Sequence, residues 1–220
     1  MSPVTKQPAA IRSAELQILS EQASVCTNCD LAPTRTNVVF GAGDPDAAVV
    51  IVGEAPGKNE DEQGLPFVGR SGALLDTLLG EIGLAREDVY IANVVKCRPP
   101  GNRDPRPLEI DACKPYLRQQ LSLIDPKVVV TLGNFSSKLL LNTTVGITRL
   151  RGNAYPWWGR KLVPTFHPAA ALRGSARVLA AMQEDFTLVR DILDDTADNT
   201  TGASEVEEST SVSPEQLDLF

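Results

Sequence analysis

The 220-residue chain contains no apolar run approaching the ~18 residues of a membrane span, so neither a membrane protein nor a membrane partner is expected. Met1–Ala10 lacks the charged and apolar stretches of a secretory signal, which makes a cytoplasmic protein the expectation. Only four cysteines are present, too few for a disulfide scaffold of this size. Without an export signal they read as thiols or metal ligands. The chain has a single histidine, so a metal site built on these cysteines would have four thiolates and no imidazole. Basic residues are missing from the end of the chain: between Asp191 and Phe220 there are nine acids and no Lys or Arg.

That last absence explains the net charge. The whole chain is −7, but with nine of its 28 acids in the tail, Met1–Arg190 holds 21 bases against 19 acids and is slightly basic. The global acidity therefore does not exclude a nucleic-acid partner. Residues 194–220 read as a disordered acidic tail, since the Thr/Ser/Asp/Glu-rich stretch 196–214 offers little apolar surface to offset its ordering entropy. Residues 1–193 read as one monomeric domain, with a hydrophobic content of 42% that suffices for a full core.

Within that body, β and α patterns alternate. A continuous β-branched run at Ala47–Val52 predicts a strand buried on both faces, and Val89–Val95, Lys127–Leu132 and Leu162–Phe166 read as three further strands. Helical spacing predicts helices at Ala9–Val25, Ser71–Gly83, Pro107–Ile124, Asn134–Leu141 and Ser175–Leu193, the third opened by a proline in its first turn. The pattern implies an α/β fold with a central four-stranded, mostly parallel sheet between helical layers. In such sheets ligands bind outside the carboxyl ends of the strands.

Chemistry-bearing residues collect at those ends. After the first strand comes Gly53-Glu54-Ala55-Pro56-Gly57-Lys58-Asn59-Glu60-Asp61. This departs from a phosphate-binding loop: three residues rather than four separate the glycines, and Asn59 stands where a hydroxyl would be needed. Phe67 lies between two Gly-rich turns, as a core ring or as a ring facing a ligand. Asn93 interrupts an apolar strand and must find partners, inside the core or in a bound molecule. The stiff basic loop Lys96–Pro105 follows, and His167-Pro168 closes the fourth strand. The cysteines form two pairs, Cys26 with Cys29 and Cys97 with Cys113. Unrelated buried thiols, a zinc site and a [4Fe–4S] cluster all remain open on spacing alone.

Together GEAPG with Glu60-Asp61, GLPFVGRSG, NVVKCRPPGNRDP, HPAA and the four cysteines resemble a family 4 uracil-DNA glycosylase, over about Cys26 to Arg173. The resemblance implies a three-layer α/β/α fold and a [4Fe–4S] cluster on Cys26, Cys29, Cys97 and Cys113. It implies hydrolysis of the N-glycosidic bond of uracil in single- or double-stranded DNA, the first step of base excision repair. By motif, Phe67 would stack on the flipped base and Asn93 would read its edge. Ala55 would border the base and Glu60 would refuse the thymine methyl. His167 would stabilise the departing uracil, while Glu54, helped by Asn102, would position water. Arg98, Arg103, Arg70 and Arg173 would meet phosphates. Leu172 would fill the gap in the duplex, since this chain reads HPAAALR where the family usually has HPAALLR. The terminal Gln216-Leu217-Asp218-Leu219-Phe220 resembles the clamp-binding peptide of bacterial replication proteins, which implies a sliding clamp as a partner.

Overall fold

The computed structural model describes residues 7–174 and 176–201. The strands are β1 (Ala42–Gly43), β2 (Val49–Gly53), β3 (Tyr90–Asn93), β4 (Val128–Leu132), β5 (Tyr155–Trp157) and β6 (Arg160–Thr165). The helices are α1 (Ala9–Ser24), α2 (Lys58–Gln63), α3 (Arg70–Glu81), α4 (Pro107–Ile124), α5 (Asn134–Leu140), α6 (Ile147–Leu150), α7 (Pro168–Leu172) and α8 (Ala176–Thr201). They build one sheet of order β1-β3-β2-β4-β6-β5.

The four expected strands are its parallel centre, β3-β2-β4-β6. The sheet nevertheless has six strands rather than four, because β1 and β5 add antiparallel edges. Neither edge carries the β-branched signal of a buried strand. β1 is two residues ending in a glycine, and β5 contains Pro156, which an edge tolerates because it need not donate on its outer side.

Alternation within the central strands explains their unbroken apolar sequence. Val50 and Val52 of β2 enter one core with Leu16, Leu19, Leu117 and Leu121 of α1 and α4. Val49 and Ile51 enter a second core with Leu75, Leu78, Met182 and Phe186 of α3 and α8. Both faces are covered, which gives three layers. Successive strands lie on opposite sides of β2, with β3 on one flank and β4 on the other. This topological switch opens a crevice at the carboxyl end of β2.

α8 is longer than its periodicity suggests, continuing past Leu193 to Thr201. Asp194 and Asp195, which follow Leu193, are exposed and carry no apolar signal from which to read an end. Among the described residues no helix is long and apolar enough to cross a membrane. The expected clamp peptide Gln216–Phe220 lies outside the described residues.

One buried network ties α8 to the strand that leads to His167. Asp185, 1% exposed, accepts from the Thr165 hydroxyl at 2.6 Å, the Gly152 amide at 2.8 Å and Arg151 through both carboxylate oxygens. Asp185→Ala leaves the Thr165 hydroxyl and the Gly152 amide without this acceptor and Arg151 with only Ala181 and Glu184, so a loss of about 3 kcal/mol is expected from urea denaturation.

Candidate active site

The crevice is a cavity of about 790 Å³ lined by Glu54, Ala55, Glu60, Phe67, Asn93, Asn102, Arg103, His167 and Arg173, among others. The residues expected to contact the base and the water therefore converge from five chain segments. A second cleft, about 740 Å³, meets it along Glu54, Asp104 and His167.

Phe67 is placed by close backbone approach. Its φ of +52° is left-handed, an unusual conformation for an aromatic residue. A side chain at Gly72 would run into the Phe67 carbonyl. One at Gly53 would meet the Phe67 ring, 2.7 Å from Cζ, and the Asn93 side-chain oxygen. Gly53 pairs with Asn93 in the parallel ladder, so the two share a face of the sheet, and the missing Cβ makes room for both neighbours. Glu60 locks the loop from the other side: its Oε1 accepts from the amides of Val68 at 3.0 Å and Gly69 at 3.1 Å. Phe67 is thus both a core ring and a wall of the cavity.

Asn93 is 2% exposed, and its Oδ1 is buried with no hydrogen-bond partner among the described residues. A buried acceptor left unsatisfied costs roughly 1–3 kcal/mol. Native proteins keep such atoms where a ligand satisfies them.

His167 faces Phe67 with ring centroids 5.9 Å apart. Its Nδ1 accepts from the Ala169 amide at 3.1 Å. The ring proton therefore resides on Nε2, which is free to donate into the cavity. Burial holds the imidazole pKa below its usual value, the Arg173 charge lowers it further, and Glu60 partly opposes them. His167 is thus a neutral donor at pH 7. Burial pushes the Glu54 carboxyl up to about 7, and the Asp104 carboxylate adds to the rise.

The basic loop is held more tightly than its sequence suggests. Arg98 Nε donates to Asn102 Oδ1 at 2.7 Å, which leaves the Asn102 amide nitrogen to face the cavity. Arg103 forms a two-pronged pair with Glu109 of α4, at 2.6 and 2.9 Å. Arg70 and Arg173 are exposed on the rim, and half-buried Leu172 ends α7 beside them.

All four cysteines line a single small enclosed cavity with Val38, Lys96, Tyr116 and Arg35. Burial pushes the Cys113 thiol up to about 11, although the neighbouring Lys96 charge works against it.

Some of the site escaped sequence reasoning. Asp104 and the Ala169 amide act through position alone. Lys96 carries a signal in hindsight, since it is a charged residue ending an apolar run beside Cys97. It is 1% exposed, and burial lowers its pKa to about 8.

The Glu54 carboxyl has a testable pH signature. A chemical step that needs it ionised should lose rate as pH falls through about 7, in a profile of kcat/KM against pH. Removing the Asp104 charge favours the Glu54 carboxylate, so Asp104→Asn should move that limb to lower pH. Glu54→Gln should abolish the limb. Because folding raises this carboxyl's pKa, its contribution to stability is fully present below the unfolded value of 4.5 and is lost as pH rises through about 7. Glu54→Gln should accordingly raise Tm at pH 8 and not at pH 4.

The family model of the uracil DNA glycosylase superfamily matches residues 40–194. The chain is 49% identical over 166 residues to the type-4 uracil-DNA glycosylase of Thermotoga maritima, covering 74% of this chain and 86% of that protein. It is 45% identical over 186 residues to the type-4 enzyme of Sulfurisphaera tokodaii, covering 80% and 84%. Similarity to the type-5 uracil-DNA glycosylase of Thermus thermophilus is lower, 33% over 159 residues, covering 61% and 70%. With these motifs gathered at one crevice and this gradient of identity, the chain belongs to the uracil DNA glycosylase superfamily, in its type-4 branch.

Proposed function

We propose that the chain excises uracil from DNA, releasing free uracil and leaving an abasic site for base excision repair. The observation that carries the reading is Asn93, whose buried Oδ1 has no partner among the described residues and which lines a cavity walled by Phe67 and His167. The flipped ring stacks on Phe67. Asn93 Oδ1 accepts from uracil N3–H, and its amide nitrogen donates to O4. Cytosine presents the opposite order of donor and acceptor, and a buried mismatch of this kind discriminates strongly. Glu60, immobilised by Val68 and Gly69, stands against the C5 methyl of thymine, and Ala55 borders the ring.

In the chemical step the bond from C1′ to N1 breaks and its electron pair leaves with uracil. The His167 Nε2–H donates to O2 as negative charge develops there. Glu54 faces both clefts, so it can hold a water against C1′ and take its proton. The Asn102 amide nitrogen orients that water. Arg70 and Arg173 meet phosphates on the rim. Arg98 and Arg103 do so from a loop that Asn102 and Glu109 hold in place. Leu172 enters the space the base leaves.

Cys26, Cys29, Cys97 and Cys113 hold a [4Fe–4S] cluster. The donor set fits: four thiols line one enclosed cavity, with no His, Asp or Glu among the described residues lining it. The cluster supplies a structural clamp between the end of α1, the loop after β3 and α4.

The first test is release of uracil from a uracil-containing oligonucleotide, with no added metal or nucleotide. His167→Ala should slow excision about 10²–10³-fold, comparable to removing one oxyanion donor. Asn93→Ala should lose rate and discrimination against cytosine together. Wild-type rates for both variants would refute the site.

For the tail, we propose that Gln216–Phe220 binds a bacterial sliding clamp. Leu217, Leu219 and Phe220 would enter apolar pockets, and Gln216 would fix register. An acidic tether raises effective concentration at replicating DNA while avoiding phosphates. A peptide spanning Pro214–Phe220 should bind a clamp with micromolar affinity. Deleting Glu215–Phe220 should abolish clamp binding by the whole protein and leave excision on short oligonucleotides unchanged.

A further inference from the structure

Between the crevice and the cysteine cavity lies a buried cation that neither the base chemistry nor the cluster ligation uses. Lys96 is 1% exposed. Its Nζ donates to the Asn93 backbone carbonyl at 2.9 Å and to Gln120 Oε1 at 2.5 Å. Gln120, also 1% exposed, passes the constraint on, donating to the Phe40 carbonyl at 2.9 Å and the Tyr90 hydroxyl at 3.1 Å. Nζ lies 5.8 Å from the Phe40 ring centroid. All these partners are neutral. Neutral acceptors can satisfy the hydrogen bonds of an ammonium but cannot balance its charge, and an unbalanced buried charge is strongly destabilising.

The charge that can balance it lies on the other side of the same residue. The backbone amide of Lys96 donates to Cys113 Sγ at 3.2 Å, and Lys96 lines the cavity that all four cysteines share. Four thiolates outweigh the charge of the iron–sulfur core, so an occupied cavity is anionic. A second cation serves it from the rim: Arg35 reaches the Cys26 carbonyl at 2.7 Å and Cys97 Sγ at 3.6 Å. The two cations differ in one respect. Arg35 touches only the cysteine segments, whereas Lys96 also holds the residue that faces the base.

We infer that Lys96 is a positioning residue that ties uracil recognition to the cysteine site, its buried ammonium balancing the thiolate-bound cluster while holding the strand end that carries Asn93. This rests on the reading of the cysteines as cluster ligands. With the anion present, the Lys96 ammonium is held in place, and with it the strand end that carries Asn93. Removing the anion leaves a buried cation without compensation, and the lysine and the Asn93 carbonyl it holds relax together. The cluster would then matter to base recognition from outside the cavity the base occupies, with no electron transfer involved.

The test compares wild type, Lys96→Met, Arg35→Met and Gln120→Leu, each purified anaerobically as the full chain. Iron per chain, the midpoint potential of the cluster, and affinity for uracil-containing and abasic oligonucleotides are measured on each. Loss of either cation should move the potential in the negative direction. Lys96→Met should also weaken binding of uracil DNA about tenfold, the effect of losing one well-made hydrogen bond. Affinity for abasic DNA, which offers Asn93 no base, should not change. Arg35→Met should shift the potential and leave uracil binding intact. Gln120→Leu keeps the charge and removes one anchor of the ammonium, so it should weaken uracil binding with little change in potential. It serves if Lys96→Met fails to fold. Uracil affinity unchanged in Lys96→Met or in Gln120→Leu, or equal losses for uracil and abasic DNA, would overturn the positioning role. An unshifted potential in an iron-loaded Lys96→Met would overturn the charge balance. A wild-type protein without iron would instead refute the cluster reading itself.

Discussion

The active-site geometry depends on how closely the Phe67 backbone and ring approach the end of β2. Phe67 adopts a left-handed φ, packs its carbonyl against Gly72 and lays its ring over Gly53, so that three residues from separate turns meet with no room for a Cβ. Strain of this kind persists only where surrounding contacts over-determine it. Here the apolar core under the ring and the two amide bonds to Glu60 supply those contacts. The arrangement gives a planar, dry wall at a fixed distance from Asn93 and His167. The ring belongs to the core as well as to the cavity, so the wall is about as rigid as the sheet.

Electrostatics in this crevice follow from the same dryness. Burial disfavours the charged form of every group it surrounds, and it acts on His167 and Glu54 in opposite senses. The imidazole becomes a neutral donor, with its tautomer set by one backbone amide. The carboxyl becomes a base whose ionisation falls near neutrality. Asp104 sharpens that effect from a loop that carries no apolar or structural signature. A neutral His167 suits a developing uracil anion, because it donates without first losing a hydration shell or a salt partner.

The central strands were legible because strands covered on both faces are mostly apolar, and the runs of Val, Ile and Leu in β2, β3, β4 and β6 carry that signal. The edge strands β1 and β5 were not legible, since a glycine-ended pair and a proline-bearing triplet are held by their neighbours rather than by their own side chains. The same division holds in the site. Asn93 was visible as a polar residue in an apolar run, and His167 as a histidine at a strand end. The Arg103–Glu109 pair and the Arg98–Asn102 bond were not visible, because each depends on where a loop folds back. They change the meaning of three residues that a sequence reads only as basic or amide. The arginines hold the loop in place, and Asn102 has its oxygen already engaged.

One short segment joins these levels. β3 ends at Asn93, and its backbone stays paired for two more residues, with Val94 and Val95 donating to Gly53 and Glu54. Lys96 and Cys97 follow at once. The Asn93 amide, the backbone of Glu54, the buried Lys96 cation and a cysteine of the enclosed cavity thus lie within five consecutive residues and their ladder partners. A rigid, fully buried strand transmits position with little loss, because interiors packed at native density have few alternative arrangements. A segment built this way cannot move at one end without disturbing the other. This gives a physical reason for a cysteine-lined cavity to sit on the element that carries Asn93 into the crevice.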